Sequence, residues 1–157
     1  MTAPDSGAAA RSQAAPRVRV SADDPSRPPA LRLSGTVLSL KPLRAGEGVS
    51  YGYAHRATAS TRIALVTGGY AQGVVRALGG RAHVRINGSS HPIVGRVAMD
   101  VCVVDVGDAD VVPGDEVVFL GDPAADEPSL DEWAALTGLT PAEIAAVILQ
   151  RVRRDDA

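Results

Sequence analysis

A chain of 157 residues with 45% hydrophobic content is long enough for one domain with a core of its own. Its formal net charge of −2 gives no electrostatic basis for binding nucleic acid or a membrane surface. The single cysteine, Cys102, excludes a disulfide framework within the chain, and it sits in an apolar run where a small buried hydrophobe is expected.

Residues 1–28 are dominated by Ala, Ser, Pro, Asp and Arg and read as a disordered tail, because such a stretch buries too little surface to offset its ordering entropy. It has no apolar core of a secretory signal, and no run in the chain has the length of a membrane-spanning helix, so a soluble cytoplasmic protein is expected. Alternation then predicts a strand over 30–41, with Gly35 marking a bulge or a close contact. The glycine-rich stretch Ala45-Gly46-Glu47-Gly48-Val49-Ser50-Tyr51-Gly52 reads as a turn that holds Tyr51 in place. A strand over Thr61–Thr67 runs into a second such turn, Gly68-Gly69-Tyr70-Ala71-Gln72-Gly73, and Val74–Leu78 suits about one helical turn. The chain has only three tyrosines, and these two turns carry Tyr51 and Tyr70.

Asn87-Gly88 is a hairpin signal between strands at Ala82–Ile86 and Pro92–Val97, with Pro92 at the start of its strand. Val101–Val106 reads as a strand buried on both faces, and Glu116–Gly121 as the last strand after a turn at Val112–Asp115. The period then changes. Ser129 with Glu132 starts a short helix through Leu136, and Gly138 ends it. Thr140, Pro141 and Glu143 start another, with Ile144, Val147, Ile148 and Val152 at helical spacing. The residues fit a mainly β fold, barrel-like or sandwich-like. Of the two we take a small Greek-key-like barrel of about six strands with two short C-terminal helices.

Little chemistry follows from the residues singly. His55, His83 and His91 are spread over turns and an exposed strand face without metal-ligand spacing, so no metal site is expected. Asp105, Asp108 and Asp110 lack the further acidic ligand of a calcium loop. Three features remain: the Tyr51 turn, Gly69–Gly73 with Arg76, and Gly95-Arg96-Val97-Ala98-Met99-Asp100. Each alone has a plain structural reading, as a packed loop tyrosine, a solvated arginine or a turn.

In this order and spacing, with 19 residues from Tyr51 to Tyr70, the three stretches resemble motifs of the C-terminal domain of bacterial alanine racemase. Gly114-Asp115-Glu116-Val117-Val118 and Glu143-Ile144 extend the resemblance, which implies a domain over 29–154 and a short tail at 155–157. The family's enzyme pairs an N-terminal (β/α)₈ barrel, which holds pyridoxal phosphate on a lysine, with this β-rich domain. In its head-to-tail dimer the β-rich domain completes the active site of the other subunit. The resemblance makes Tyr51 the catalytic tyrosine, Met99 and Asp100 the residues that approach the substrate, and Tyr70, Arg76 and Arg96 the lining of the active-site entrance. It also implies alanine as substrate and D-alanine biosynthesis as the setting. Here the cofactor is expected only through a partner chain, and the expected partner is a barrel-domain racemase subunit or a homo- or hetero-oligomer. The only lysine, Lys41, falls in the segment that matches the domain junction.

The chain departs from the motifs at Gln72, where the family has Asp, at Ala98 for Cys, Val101 for Gln, Pro141-Ala142 for Asn-Tyr, and Gln150 for Tyr. Two functions are therefore carried forward. One is a stand-alone domain lending Tyr51 in trans to a separate barrel, an isomerase only in that company. The other is a non-catalytic binding or regulatory module derived from such an enzyme.

Overall fold

Alternating apolar residues form strands and helically spaced ones form helices in the computed structural model, which describes residues 15–21, 30–49, 55–57 and 59–152. The strands are β1 (Arg17–Ser21), β2 (Ala30–Leu43), β3 (Gly48–Val49), β4 (His55–Arg56), β5 (Thr61–Thr67), β6 (His83–Ile86), β7 (Ser89–Val94), β8 (Val101–Asp105) and β9 (Glu116–Leu120). The helices are α1 (Leu130–Thr137) and α2 (Pro141–Arg151), and short 3-10 turns lie at Tyr70–Gln72, Arg76–Leu78 and Pro123–Ala125.

β2, β5, β8, β7, β6 and β9 pair antiparallel in that order, and β9 pairs back onto β2. That last pairing closes the sheet, so the fold is the mainly β, six-stranded barrel with two C-terminal helices that the sequence predicts. β2 can join both ends because it changes partners along its length. Leu33–Thr36 pair with β9, Val37–Leu43 pair with β5, and the register shifts at Leu33/Ser34 and Val37/Ser39. Gly35 sits between the shifts. A Cβ there would meet the Thr67 carbonyl oxygen and lie 2.9 Å from its Oγ1, so glycine lets the two strands cross closely.

Inward residues build one core that includes Leu33, Val66, Val84, Ile86, Ile93, Cys102, Val104 and Phe119, continuous with Trp133, Ile144 and Ile148 of the helices. Fully burying each large side chain of this kind stabilises by roughly 1.5–3 kcal/mol. Ser129 Oγ accepts from the Glu132 N–H at the start of α1, and Thr140 and Glu143 form a reciprocal capping box on α2. Outside the barrel, the Arg32 guanidinium makes two parallel bonds to Glu116, at 2.9 and 3.1 Å. The bonds from Arg32 hold the Glu116 carboxyl below its ordinary range. Among the described residues no single helix is long and apolar enough to cross a membrane.

Four local expectations change. Within the stretch read as a tail, Arg17–Ser21 forms a strand on the first half of β2, because Val18 alternates inward and is fully buried; residues 1–14, 22–28 and 155–157 lie outside the described residues. Pro92 sits within β7 rather than at its start. Ile93 donates to Ala82 on the β6 side, so the Pro92 nitrogen faces β8, whose pairing begins only at Ile93. β8 is buried on one face only, with Cys102 and Val104 inward and Val101, Val103 and Asp105 half-buried, as in a barrel strand with distinct inner and outer faces. His91 is 8% exposed rather than solvated, since it alternates inward with Ile93.

Candidate functional site

β5 and β8 are paired up to Thr67 opposite Val101, and the loops beyond that pair lie side by side. Gly68 N–H donates to the Asp100 carbonyl at 2.9 Å, Tyr70 N–H to Ala98 at 3.0 Å, and Ala71 N–H to Met99 at 2.9 Å. Two segments some thirty residues apart are thereby joined through main-chain bonds. Gly69 is extended and needs no special φ. Its lack of a Cβ matters for another reason, since one would strike the Ala98 and Met99 carbonyl oxygens.

The joined loops border an open hollow of about 1040 Å³ lined by Tyr70, Arg76, Ala77, Arg96, Val97, Ala98, Met99, Asp100 and Val101. Five of the six site residues named from the sequence, Tyr70, Arg76, Arg96, Met99 and Asp100, thus share one surface. The sixth, Tyr51, lies outside the described residues. The Arg76 guanidinium carbon stands 4.7 Å from the Tyr70 ring centroid. That is a cation–π contact worth about 0.5–1 kcal/mol at an exposed site, and it orients the ring. Met99 is 53% exposed, a large apolar side chain held at the rim. Two guanidiniums, a phenol and a carboxylate around an apolar floor suit a small ligand bearing a carboxylate.

A two-stranded ribbon pairs Gly48 with Arg56 and Val49 with His55, and residues 50–54 between its strands lie outside the described residues. Its base is Ala57, which packs with Leu43, Ile63, Val94 and Val103 in a second apolar cluster. Strand alternation puts Val103 of that cluster and Val101 of the hollow on the same face of β8, two residues apart. The ribbon base and the hollow therefore occupy one side of the barrel.

The lining does not fit a pyridoxal phosphate seat. That cofactor forms its Schiff base on a lysine amine. The chain's one lysine, Lys41, lies on β2 opposite Ile63 and does not line the hollow. Among the described residues no three His, Cys, Asp or Glu side chains gather as a metal donor set. Sequence reasoning also missed a participant. Gln72, noted there only as a departure, accepts from Gly69 N–H through Oε1 and donates to Asp100 Oδ1 through Nε2, each at 2.9 Å. Its three-residue offset from Gly69 was the available signal.

A closed six-stranded barrel with a helical end, carrying an open hollow lined by Tyr, Arg, Met and Asp on its surface, defines a small β-barrel domain. The sequence profile described as "Alanine racemase, C-terminal domain" matches residues 30–155. The chain belongs to that family. It is 44% identical over 128 residues to the alanine racemase of Mycobacterium leprae, which covers 80% of this chain and 33% of that protein. The crystal structure of alanine racemase from D-cycloserine-producing Streptomyces lavendulae is similar at 40% identity and a TM-score of 0.76, over 80% of this chain and 33% of that one. The Bartonella henselae alanine racemase, crystallised with covalently bound pyridoxal phosphate, is similar at 30% identity and a TM-score of 0.72, over 80% of this chain and 34% of that one. The chain thus spans about a third of the length of the relatives it matches.

Proposed function

We propose that this domain supplies, in trans, the tyrosine half of an amino-acid racemase site, with alanine as substrate and pyridoxal phosphate held by a barrel domain on another subunit. The observation that carries the proposal is the gathering of Tyr70, Arg76, Arg96, Met99 and Asp100 around one hollow. The covalently bound pyridoxal phosphate of the Bartonella relative supports the cofactor, an electron sink that in this reading sits on the barrel side.

Racemisation needs an acid–base group on each face of the substrate α-carbon. Tyr51 serves one face, taking or returning the proton through its phenol oxygen. A phenol with an ordinary pKa of about 10 does this near neutrality only where positive charge or hydrogen bonds favour its ionised form. Met99 and Asp100 approach the bound amino acid. Tyr70, Arg76 and Arg96 line the way in, and the two arginine guanidiniums draw the substrate carboxylate. The rooting of the β3–β4 ribbon, between whose strands Tyr51 falls in the sequence, on the same side of β8 as the hollow supports the two serving one site.

Co-expression of the full chain with a pyridoxal-phosphate-holding racemase barrel, followed by an assay of L- to D-alanine conversion, tests this. Conversion that depends on both proteins is expected. A stable complex without conversion points instead to the non-catalytic module.

A further inference from the structure

We infer that Gln72 is a positioning residue whose carboxamide fixes the Met99–Asp100 turn in the place where it lines the hollow. One side chain spans both loops. Oε1 accepts the Gly69 N–H and Nε2 donates to Asp100 Oδ1, each at 2.9 Å. These two bonds add a side-chain link to the three main-chain bonds from Gly68, Tyr70 and Ala71. The main-chain bonds set the spacing of the loops. The amide sets where the Asp100 carboxylate points, which main-chain bonds cannot do for an exposed side chain. Tyr70 shares the 3-10 turn with Gln72, so the same link steadies the ring that faces Arg76.

The residue type follows from the two partners. A carboxylate at 72 accepts from Gly69 but has no proton for Asp100, and an ammonium donates but cannot accept. Asparagine carries the right groups on a stem one methylene shorter, and two bonds already at 2.9 Å leave no slack for it. Of these side chains only glutamine meets both requirements at this distance. The inference rests on the racemase reading only for what the fixed turn faces.

Amide hydrogen exchange of the full-length chain, followed by NMR at about pH 5 and about pH 8 and corrected for intrinsic rates, tests it. In the parent, Gly68, Gly69, Tyr70 and Ala71 are protected alike at both values. In Gln72→Ala the Gly69 amide loses its acceptor and exchanges roughly tenfold faster or more, and the three flanking amides speed up with it. The barrel amides of Ile93 and Val106, which donate to Ala82 and Arg62, serve as internal controls and do not change.

Gln72→Glu supplies the distinguishing readout. There the Gly69 N–H keeps an acceptor while Asp100 meets a like charge in place of a donor, so the amides of Gly68, Tyr70 and Ala71 speed up at about pH 8 although Gly69 retains its bond. Among the described residues, the other charged or titratable groups around the hollow are Tyr70, Arg76 and Arg96. Unchanged protection in Gln72→Ala, or Gln72→Glu protection of Gly68, Tyr70 and Ala71 equal to the parent's at about pH 8, overturns the inference. Failure of the racemase reading shows separately, as absent conversion with a barrel partner while this exchange pattern stands.

Discussion

Gly69→Ala isolates steric contact from backbone strain. Gly69 has φ −141° and ψ −169°, which any residue adopts, so alanine brings no conformational penalty of its own. Its Cβ would stand 2.5 Å from the Met99 carbonyl carbon and closer still to the Ala98 and Met99 oxygens, where real Cβ contacts do not fall below 3.0 Å. The facing main chain must retreat by about half an ångström or more, because these atoms are backbone and no rotamer relieves them. Overpacking of this kind costs about 1–3 kcal/mol. The bonds from Tyr70 to Ala98 and from Ala71 to Met99 lie directly across the contact and contribute about 0.5–1.5 kcal/mol each. The expected loss is roughly 2–6 kcal/mol, read from urea unfolding of the full chain by circular dichroism. Gly46→Ala is the control. That position has φ 88° with nothing within 4 Å of the added Cβ, so it carries strain alone, about 1–2 kcal/mol. A Gly69→Ala loss smaller than that of Gly46→Ala would contradict a steric clash at Gly69.

Two further outcomes follow from buried groups. His91 is 8% exposed with Nε2 unpartnered, and burial pushes its imidazole below the ordinary value while Asp105 pulls it up. The unfolded chain therefore binds a proton that the folded one resists. This stability is fully present above about pH 6.5 and is lost as pH falls below it, by at most about 1.4 kcal/mol per pH unit. His91→Leu flattens the dependence between about pH 7 and about pH 5, and an unchanged slope of urea midpoints counts against the assignment. Burial pushes the Cys102 thiol up to about 12, so iodoacetamide should label the folded chain no faster than it unfolds, and rapid labelling in native buffer contradicts that.

The barrel was legible because its strands carry period-two patterns and its turns carry their own chemistry. Thr61–Thr67 forms β5 as read, and Asn87 and Gly88 take the positive φ of a two-residue hairpin, 51° and 79°. Capping residues placed both helices to within a residue. Short strands in charged surroundings were less legible. Arg17-Val18-Arg19-Val20 alternates, yet five residues beside a Pro- and Ser-rich stretch carry too little apolar surface to stand out from composition. His91 and Pro92 show the same limit, because which neighbour a strand residue faces is decided by pairing and not by its own run. In the site, the motif residues could be named from resemblance, and their convergence needed the β5–β8 pairing that lays Gly68–Ala71 along Ala98–Asp100. Gln72 stayed hidden because its two partners, Gly69 and Asp100, lie on different loops.

The most direct test of the central claim is the initial rate of L- to D-alanine conversion by the chain mixed with a pyridoxal-phosphate-holding barrel, parent against Tyr51→Phe. Removing one acid–base group predicts a fall of about 10²–10⁴-fold with the complex still formed. Equal rates for parent and Tyr51→Phe would contradict the assignment of this domain as the tyrosine half of a racemase site.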